Sequence, residues 1–240
     1  MHIISVAFES EDLLRAESFY GSVLGLPTTR QNNTLTIRAG ASKLILRQGP
    51  TGPGKQHLAF TIPRSMFDSA KQWASDRVPL LRDAEGRDEF ETSAHWNAHS
   101  LYFTDPEGNI LEFIIRRDIV DHRTDSFGAA HIRSISEVGM AVDDVPDAAA
   151  QIKSMFDIDT YGSGAPTFQP VGDVEGLLIL VNPGRHWFPT ATPSSTDALT
   201  VTIDSAIAAT LDISPGITIH STPDLSKTSL SRTHRKSDSL

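Results

Sequence analysis

Apolar and polar residues alternate along the first 50 residues in a way that predicts a strand, a helix and two further strands. Residues 4–8 have the composition of a β-strand. Residues 12–23 carry apolar side chains at three- and four-residue spacing, which is the period of an amphipathic helix. Residues 34–38 and 43–47 are rich in β-forming residues. The predicted order is therefore a strand, a helix and then strands.

The same order of elements recurs twice further along the chain, which indicates an internal repeat. The second copy predicts a strand at 57–62, a helix at 65–76 and a hairpin with arms at 99–104 and 109–115. The turn Asp105-Pro106-Glu107-Gly108 has the proline and glycine that a tight reversal requires. In the third copy we predict a strand at 137–142, a helix at 145–156, and further strands at 167–171, 177–181 and 199–203.

A single unit of about 55 residues buries too little apolar surface to be stable alone, so we expect the units to pair. The predicted fold class is α+β, with repeated βαβββ modules that pair into a curved antiparallel half-barrel around a central pocket. The predicted boundaries are paired modules at 1–118 (module one 1–50, module two 55–117), a linker at 119–134, a third and more divergent module at 135–205, and an irregular, disordered tail at 206–240.

Composition and charge narrow the range of functions. With 39% hydrophobic and 21% charged residues, the chain has the balance of a folded globular protein. Its formal net charge of −9 opposes binding to nucleic acid or to an anionic membrane surface. The absence of cysteine excludes disulfides, thiolate nucleophiles and cysteine-ligated metal centres. We find neither an export leader nor an apolar run of the roughly 20 residues that span a membrane, and we expect a cytoplasmic protein that acts on a small molecule.

Short motifs stand at defined places in the first two units. They are Ser5-Val6-Ala7-Phe8, Phe19-Tyr20, Val23-Leu24-Gly25-Leu26, Gln56-His57-Leu58-Ala59-Phe60, Asp105-Pro106-Glu107-Gly108-Asn109 and Glu112-Phe113. Together they resemble the vicinal oxygen chelate superfamily, which includes glyoxalases, extradiol ring-cleaving dioxygenases, and bleomycin- or fosfomycin-resistance proteins. The resemblance covers residues 4–117 well and 135–205 more weakly. It does not select one reaction, because this fold carries several chemistries.

The resemblance implies a divalent metal, Fe(II) or Mn(II), held in the pocket by residues on the first and last strands of paired units. It places ligands at His57, which opens the second unit, and at Glu112 on the last strand of that unit. The equivalent position of the first unit is Ser5, so a set of two histidines and one carboxylate would lack its first imidazole. Glu137 opens the third unit at the position equivalent to Ser5 and His57, but we predict no second metal site there.

Strand alternation by itself also directs these two side chains to the pocket. His57 precedes the apolar Leu58, and Glu112 lies between Leu111 and Phe113, so each polar side chain faces away from its apolar neighbours. A carboxylate in such a strand is unfavourable unless it is paired, hydrogen-bonded or bound to a metal. The alternative is that His57 and Glu112 pair with each other or with an arginine and serve only the structure.

The resemblance also implies three further site residues. Tyr102, ten residues before Glu112 in the same hairpin, corresponds to a tyrosine that lines the substrate pocket in extradiol dioxygenases. His95 and His99 lie in or beside the loop where those enzymes place a histidine that hydrogen-bonds oxygen or substrate. Both histidines could equally be ordinary polar residues at a junction between a loop and a strand.

These observations lead to three hypotheses. The first, which we favour, is a ring-cleaving-dioxygenase-like metalloenzyme with a small oxygen-rich substrate, in which Tyr102, His99 and His95 are catalytic. The second is a metal-free protein that binds or sequesters a small molecule, as resistance-type relatives do, with Ser5 marking the lost metal. The third is a structural or regulatory protein with a vestigial pocket. A homodimer is compatible with each, since paired-module folds often complete their cavities across a dimer.

Overall fold

The computed structural model describes residues 1–92, 96–121, 123 and 125–223. The strands of the first half of the chain are β1 (Ile3–Ser10), β2 (Thr28–Gln31), β3 (Thr34–Ala39), β4 (Ser42–Gln48), β5 (His57–Thr61), β6 (Phe90–Glu91), β7 (Ala98–Thr104) and β8 (Ile110–Arg116). Those of the second half are β9 (Ser134–Ala141), β10 (Phe168–Asp173), β11 (Gly176–Val181), β12 (Leu199–Asp204), β13 (Ala209–Ser214) and β14 (Ile217–Thr222). The helices are α1 (Leu13–Glu17), which continues into a π-helical turn (Ser18–Val23), α2 (Phe67–Ser75) and α3 (Val145–Phe156).

Local sequence signals account for the ends of the helices. The Asp12 carboxylate accepts a hydrogen bond from the backbone N–H of Arg15 (3.0 Å) at the start of α1, and Asp144 accepts one from Asp147 (2.9 Å) at the start of α3. The apolar faces of the helices and sheets share one core, whose fully buried members include Val6, Leu44, Phe60, Ala70, Val138 and Ile152. In the described part of the chain, no helix combines the length and the apolar character needed to cross a membrane.

The strands form two seven-stranded sheets. The first sheet has the order β13-β14-β12-β1-β4-β3-β2, and the second has the order β10-β11-β9-β5-β8-β7-β6. Within each unit the first strand runs parallel to the last, as in β1 with β4 and β5 with β8, so both sheets are mixed. This corrects the prediction of wholly antiparallel sheets. The α+β class and the curled half-barrel of repeated units around a pocket are confirmed.

The units pair differently from the prediction. β1 lies antiparallel to β12, and β5 lies antiparallel to β9. Unit one is therefore joined to the C-terminal strands and unit two to unit three, so modules one and two lie in different sheets. Each sheet is extended through the first strand of a unit, since β1 pairs with β12 and β5 pairs with β9. Proximity along the chain does not determine which first strands meet, and this is why the pairing at 1–118 was wrong.

The C-terminal segment contains more regular structure than predicted. Residues 209–214 and 217–222 form the antiparallel strands β13 and β14, so the prediction of an irregular tail from residue 206 is wrong for them. The turn between these strands contains Gly216 with a φ of 81°, a conformation that glycine adopts without strain. β12, which was assigned to the third module, belongs with this hairpin because it pairs with β14 and β1. The predicted disorder of residues 224–240 concerns a segment outside the described residues.

The motif around Asp105 joins the second unit to the first. Its carboxylate accepts hydrogen bonds from the Tyr20 hydroxyl (3.0 Å) and from the Asn109 side-chain amide (2.8 Å). The same carboxylate also accepts the backbone N–H groups of Glu107 and Asn109. Burial raises the pKa of Asp105, and these donors act against that shift. This motif thus holds the turn between β7 and β8 against the helical turn that carries Tyr20, and these contacts serve the fold.

Candidate metal centre

Three buried side chains converge from three neighbouring strands of the second sheet. His57 lies on β5, Glu112 on β8 and Glu137 on β9, and β5 is the middle strand. The Nε2 atom of His57 is 3.4 Å from Oε2 of Glu112 and 3.9 Å from Oε2 of Glu137. One ligand atom from each residue lies within 4.8 Å of the others. His57 and Glu112 therefore meet in one site, as we expected from strand alternation, and Glu137 joins them.

Strand register explains why the two carboxylates face each other. Ala59, two residues after His57 on β5, pairs with Glu112 on one side and with Glu137 on the other. Residues two apart on a strand share a face, so His57, Ala59 and the two glutamates all point to the same side of the sheet. The methyl group of Ala59 is the smallest side chain that this position could carry apart from glycine, and it leaves room for both carboxylates above it.

Sequence reasoning missed Glu137, although its position was visible. It stands on the first strand of unit three exactly where His57 stands in unit two, but its unit was not expected to pair with unit two. Ser5 in turn pairs with Lys43 and Thr202 in the first sheet. Ser5 is therefore not part of this centre. The serine at position 5 does not mean that this centre has lost a histidine ligand.

The internal repeat also identifies a fourth position in the site. In unit two, Glu112 pairs with Ala59, which is two residues after His57. In unit three, the residue two after Glu137 is Gly139, and it pairs with Ile179. Ile179 is therefore the unit-three equivalent of Glu112. Ile179 is buried and lines the same cavity. An apolar side chain thus stands where a fourth protein ligand would lie, which leaves three donors and an open side. Catalytic metal sites commonly have this arrangement.

A buried arginine lies beside the centre. Arg116 on β8 has no exposed side-chain surface and donates a hydrogen bond through its terminal Nη2 to Oε1 of Glu137. Burial, followed by the charge of Glu137, raises the pKa of Glu112 from 4.5 to about 7, while His57 and Arg116 act in the opposite direction. With both carboxylates ionised and His57 neutral, one negative charge is left without a cationic partner in the cluster.

A divalent cation fits this group of side chains. Carboxylate oxygens and an imidazole nitrogen are donors that Fe(II) and Mn(II) accept, and a cation between the carboxylates would offset their repulsion. The imidazole is held by stacking on Trp187, with ring centroids 5.1 Å apart and an interplanar angle of 30°. Its Nδ1 atom has no hydrogen-bond partner among the described residues, so the stacking contact is what orients the ring.

The three side chains line a cavity of about 240 Å³ whose other walls are largely aromatic. The aromatic residues that line it are Trp96, Tyr102, Phe168, Trp187 and Phe188. The absence of a side chain at Gly139 leaves room for Trp187, because a Cβ at residue 139 would lie 2.4 Å from the indole ring. All the lining residues come from units two and three of one chain, so this cavity does not need a second subunit to form its walls.

Tyr102 lies in the cavity next to the carboxylates. It is on β7, directly opposite Glu112 in the strand register, and its ring centroid is 6.5 Å from that of His57. Burial, followed by the charges of Glu112 and Glu137, raises the pKa of Tyr102 well above 10. Its hydroxyl therefore stays protonated at neutral pH and can donate a hydrogen bond into the cavity.

Of the two histidines that were predicted as catalytic residues beside Tyr102, only His99 lies among the described residues. His99 stacks on Phe67 of α2 with ring centroids 3.7 Å apart, on the helix side of the sheet, and it is not among the residues that line the cavity. The prediction of His99 as a catalytic residue is wrong, because residues three apart on a strand face opposite sides and Tyr102 takes the cavity side. Burial lowers the pKa of His99, which favours the neutral ring against Phe67. His95 lies outside the described residues.

In the metal-free protein, Glu112→Gln is expected to remove a pH-dependent loss of stability. The folded-state pKa of Glu112, about 7, lies above its ordinary value of 4.5, so folding favours the protonated form. The stabilisation from this proton is fully present below pH 4.5 and is lost as the pH rises through about 7. From about pH 5 to pH 8.5 the wild type should lose about 2–3 kcal/mol of unfolding free energy that the variant keeps. Urea unfolding with a chelator present measures this difference, and parallel pH profiles would contradict the raised pKa.

Comparisons with known proteins agree with this architecture. Scans against protein-family models and against curated proteins return no match. Among solved structures, a "putative dioxygenase" from Bacillus subtilis subsp. subtilis str. 168 is similar at 15% identity and a TM-score of 0.59, over 85% of this chain and 70% of that chain. Glyoxalase I from Zea mays is similar at 11% identity and a TM-score of 0.56, over 98% of this chain and 97% of that chain. At such identities the similarity shows the fold alone: the chain shares the fold of these two proteins, which is the fold that its motifs predicted.

Proposed function

We propose that this protein is a metal-dependent enzyme of the dioxygenase or glyoxalase type, with Fe(II) or Mn(II) held by His57, Glu112 and Glu137. Its substrate would be a small oxygen-rich molecule bound in the aromatic cavity. The observation that carries the proposal is the convergence of three buried donors from three adjacent strands in the wall of that cavity.

The structural alternative, in which these side chains only pair with one another or with an arginine, accounts for part of the cluster. Arg116 neutralises Glu137, and His57 contacts Glu112 at 3.4 Å. Glu112 nevertheless keeps a raised pKa, because its burial and the charge of Glu137 outweigh the opposing effects of His57 and Arg116. A cluster with no function beyond stability would not retain a second buried carboxylate beside an open cavity, since that arrangement is destabilising.

The metal-free alternative rested on Ser5. Because Ser5 lies in the other sheet, its identity says nothing about the donor set of this centre. Three protein donors are sufficient to hold a catalytic metal. The hypothesis of metal-free sequestration therefore loses its basis, which was the serine at position 5 in place of a histidine.

A bound divalent ion would supply Lewis acidity, which lowers the pKa of a substrate hydroxyl and polarises a carbonyl. His57, Glu112 and Glu137 would hold that ion, and Ile179 leaves the side open toward the substrate. Tyr102 remains protonated and would donate a hydrogen bond to a substrate oxygen. Trp187 covers one face of the His57 ring.

Titration of the chelator-treated full chain with Mn²⁺, followed by the EPR signal of the free ion, tests the proposal. One tightly bound Mn²⁺ per chain is the expected result. Oxygen uptake by the Fe(II)-loaded protein with catechols, measured beside isomerisation of a glutathione hemithioacetal, then separates the two reaction types. If the chain leaves all Mn²⁺ free at micromolar concentrations, the proposed function is wrong.

A further inference from the structure

The cavity has a cation in its wall in addition to the proposed metal. Arg185 lines the cavity, and its guanidinium carbon lies 4.6 Å from the centroid of the Phe168 ring. No carboxylate pairs with it in the part of the chain that the structure describes, although the chain has a net charge of −9. An exposed guanidinium that is stacked on a ring and lacks an acidic partner is available to bind an anion.

The loop that carries Arg185 is fixed at several points. The backbone N–H of Arg185 donates to the carbonyl of Asn182 (3.2 Å), and its own carbonyl accepts from the N–H of Ser194 (2.8 Å). Two residues later, the indole N–H of Trp187 donates to the carbonyl of Lys55 (2.8 Å). The backbone at Arg185 therefore has a defined position relative to the cavity, and only its side chain must adjust to a ligand.

Size and wall chemistry narrow the class of ligand. A cavity of about 240 Å³ is smaller than the range of roughly 300–1,000 Å³ typical for drug-sized ligands, so a molecule with a single ring is favoured. Aromatic side chains from several elements line it and provide flat faces for stacking or edge contacts. A planar ring with one anionic substituent matches both the walls and Arg185.

We propose that Arg185 determines specificity by binding the carboxylate of a small aromatic acid whose ring lies between the aromatic walls. Two neighbouring oxygens on the ring would then point toward His57, Glu112 and Glu137. This orientation rests on the proposed function, whereas the contact between Arg185 and the carboxylate does not require a metal.

Quenching of tryptophan fluorescence tests the proposal, because Trp96 and Trp187 line the cavity. The probes are 2,3-dihydroxybenzoate, its neutral analogue 2,3-dihydroxybenzamide, and catechol, each titrated into the full chain with and without Mn²⁺. The wild type should bind the acid about tenfold more tightly than the amide. Arg185→Gln should abolish this preference and leave the affinity for catechol within about twofold, while Arg185→Lys should retain part of it.

The control variant is Arg47→Gln, which removes an exposed arginine on β4 in the other sheet and should leave the preference unchanged. Equal binding of acid and amide by the wild type, absence of binding of the acid, or a preference that survives Arg185→Gln would each overturn the inference. Mn²⁺ binding in the same proteins separates the two proposals. If the wild type binds Mn²⁺ but does not prefer the acid over the amide, only the role of Arg185 is refuted. If the wild type prefers the acid but does not bind Mn²⁺, only the metal centre is refuted.

Discussion

Replacing His57 by alanine is expected to weaken Mn²⁺ binding by at least about 100-fold. Loss of a residue that merely orients a metal ligand typically costs 10- to 100-fold in affinity, so the loss of one of three direct donors should reach or exceed that range. His57 is also the donor on the middle strand, between the two carboxylates. EPR titration of the free ion measures the affinity, and thermal unfolding of the metal-free protein shows whether the fold survives.

Two further variants make this result specific. Glu112→Gln should lose Mn²⁺ binding to a similar extent while the metal-free protein becomes more stable at alkaline pH, which separates ligand loss from misfolding. Ser5→His, in the other sheet, should leave Mn²⁺ affinity unchanged. Tighter binding in Ser5→His, or unchanged binding in His57→Ala, would refute the assignment of the centre.

The register of the first sheet explains why, among the described residues, a set of potential metal ligands occurs at only one of two equivalent places. Ala7 takes the place of Ala59, and its partners are Ile45 and Thr200 where Ala59 has Glu112 and Glu137. Neither an isoleucine nor a threonine at these positions can serve as an anionic ligand, and Ser5 stands in the place of His57. The first sheet therefore has the geometry of the fold without its chemistry.

The sequence was sufficient to predict the fold class, though not the pairing of the units, because its motif residues form contacts that define this class. The Tyr20–Asp105 hydrogen bond is one such contact, and it links residues 85 apart. His57 and Glu112 were predictable for a related reason: both belong to one unit, and strand alternation within that unit determines which way they face.

Glu137 could not be placed in the same manner. Its contribution depends on which first strand lies beside β5, and strand alternation within a unit does not determine that pairing. The error at His99 has a different origin, since the spacing of three residues from Tyr102 was enough to exclude a shared face. Functional residues within a unit were thus accessible from the sequence, whereas those supplied across the junction of two units required the structure.

Arg116→Met is expected to destabilise the metal-free protein by about 3–5 kcal/mol, because it leaves Glu137 buried beside Glu112 with no cationic partner. Methionine keeps most of the apolar volume of the side chain, so the loss would reflect charge more than packing. Urea unfolding at about pH 8 measures it, at a pH where the pKa of about 7 leaves Glu112 of the wild type mostly ionised. Arg117→Met is the matched control: it removes the neighbouring arginine, which is partly exposed and pairs with Glu91 at 2.8 Å, and should cost less than about 1 kcal/mol.

Mn²⁺ should restore much of the stability that Arg116→Met removes, because the metal ion and the guanidinium neutralise the same carboxylate. By linkage, the variant should then bind Mn²⁺ more tightly than the wild type does, since Arg116 both occupies Glu137 and repels a cation. A loss of stability that Mn²⁺ leaves unchanged would mean that Arg116 acts through packing alone. It would also mean that Glu137 does not reach the ion, and the centre would then be reduced to His57 and Glu112.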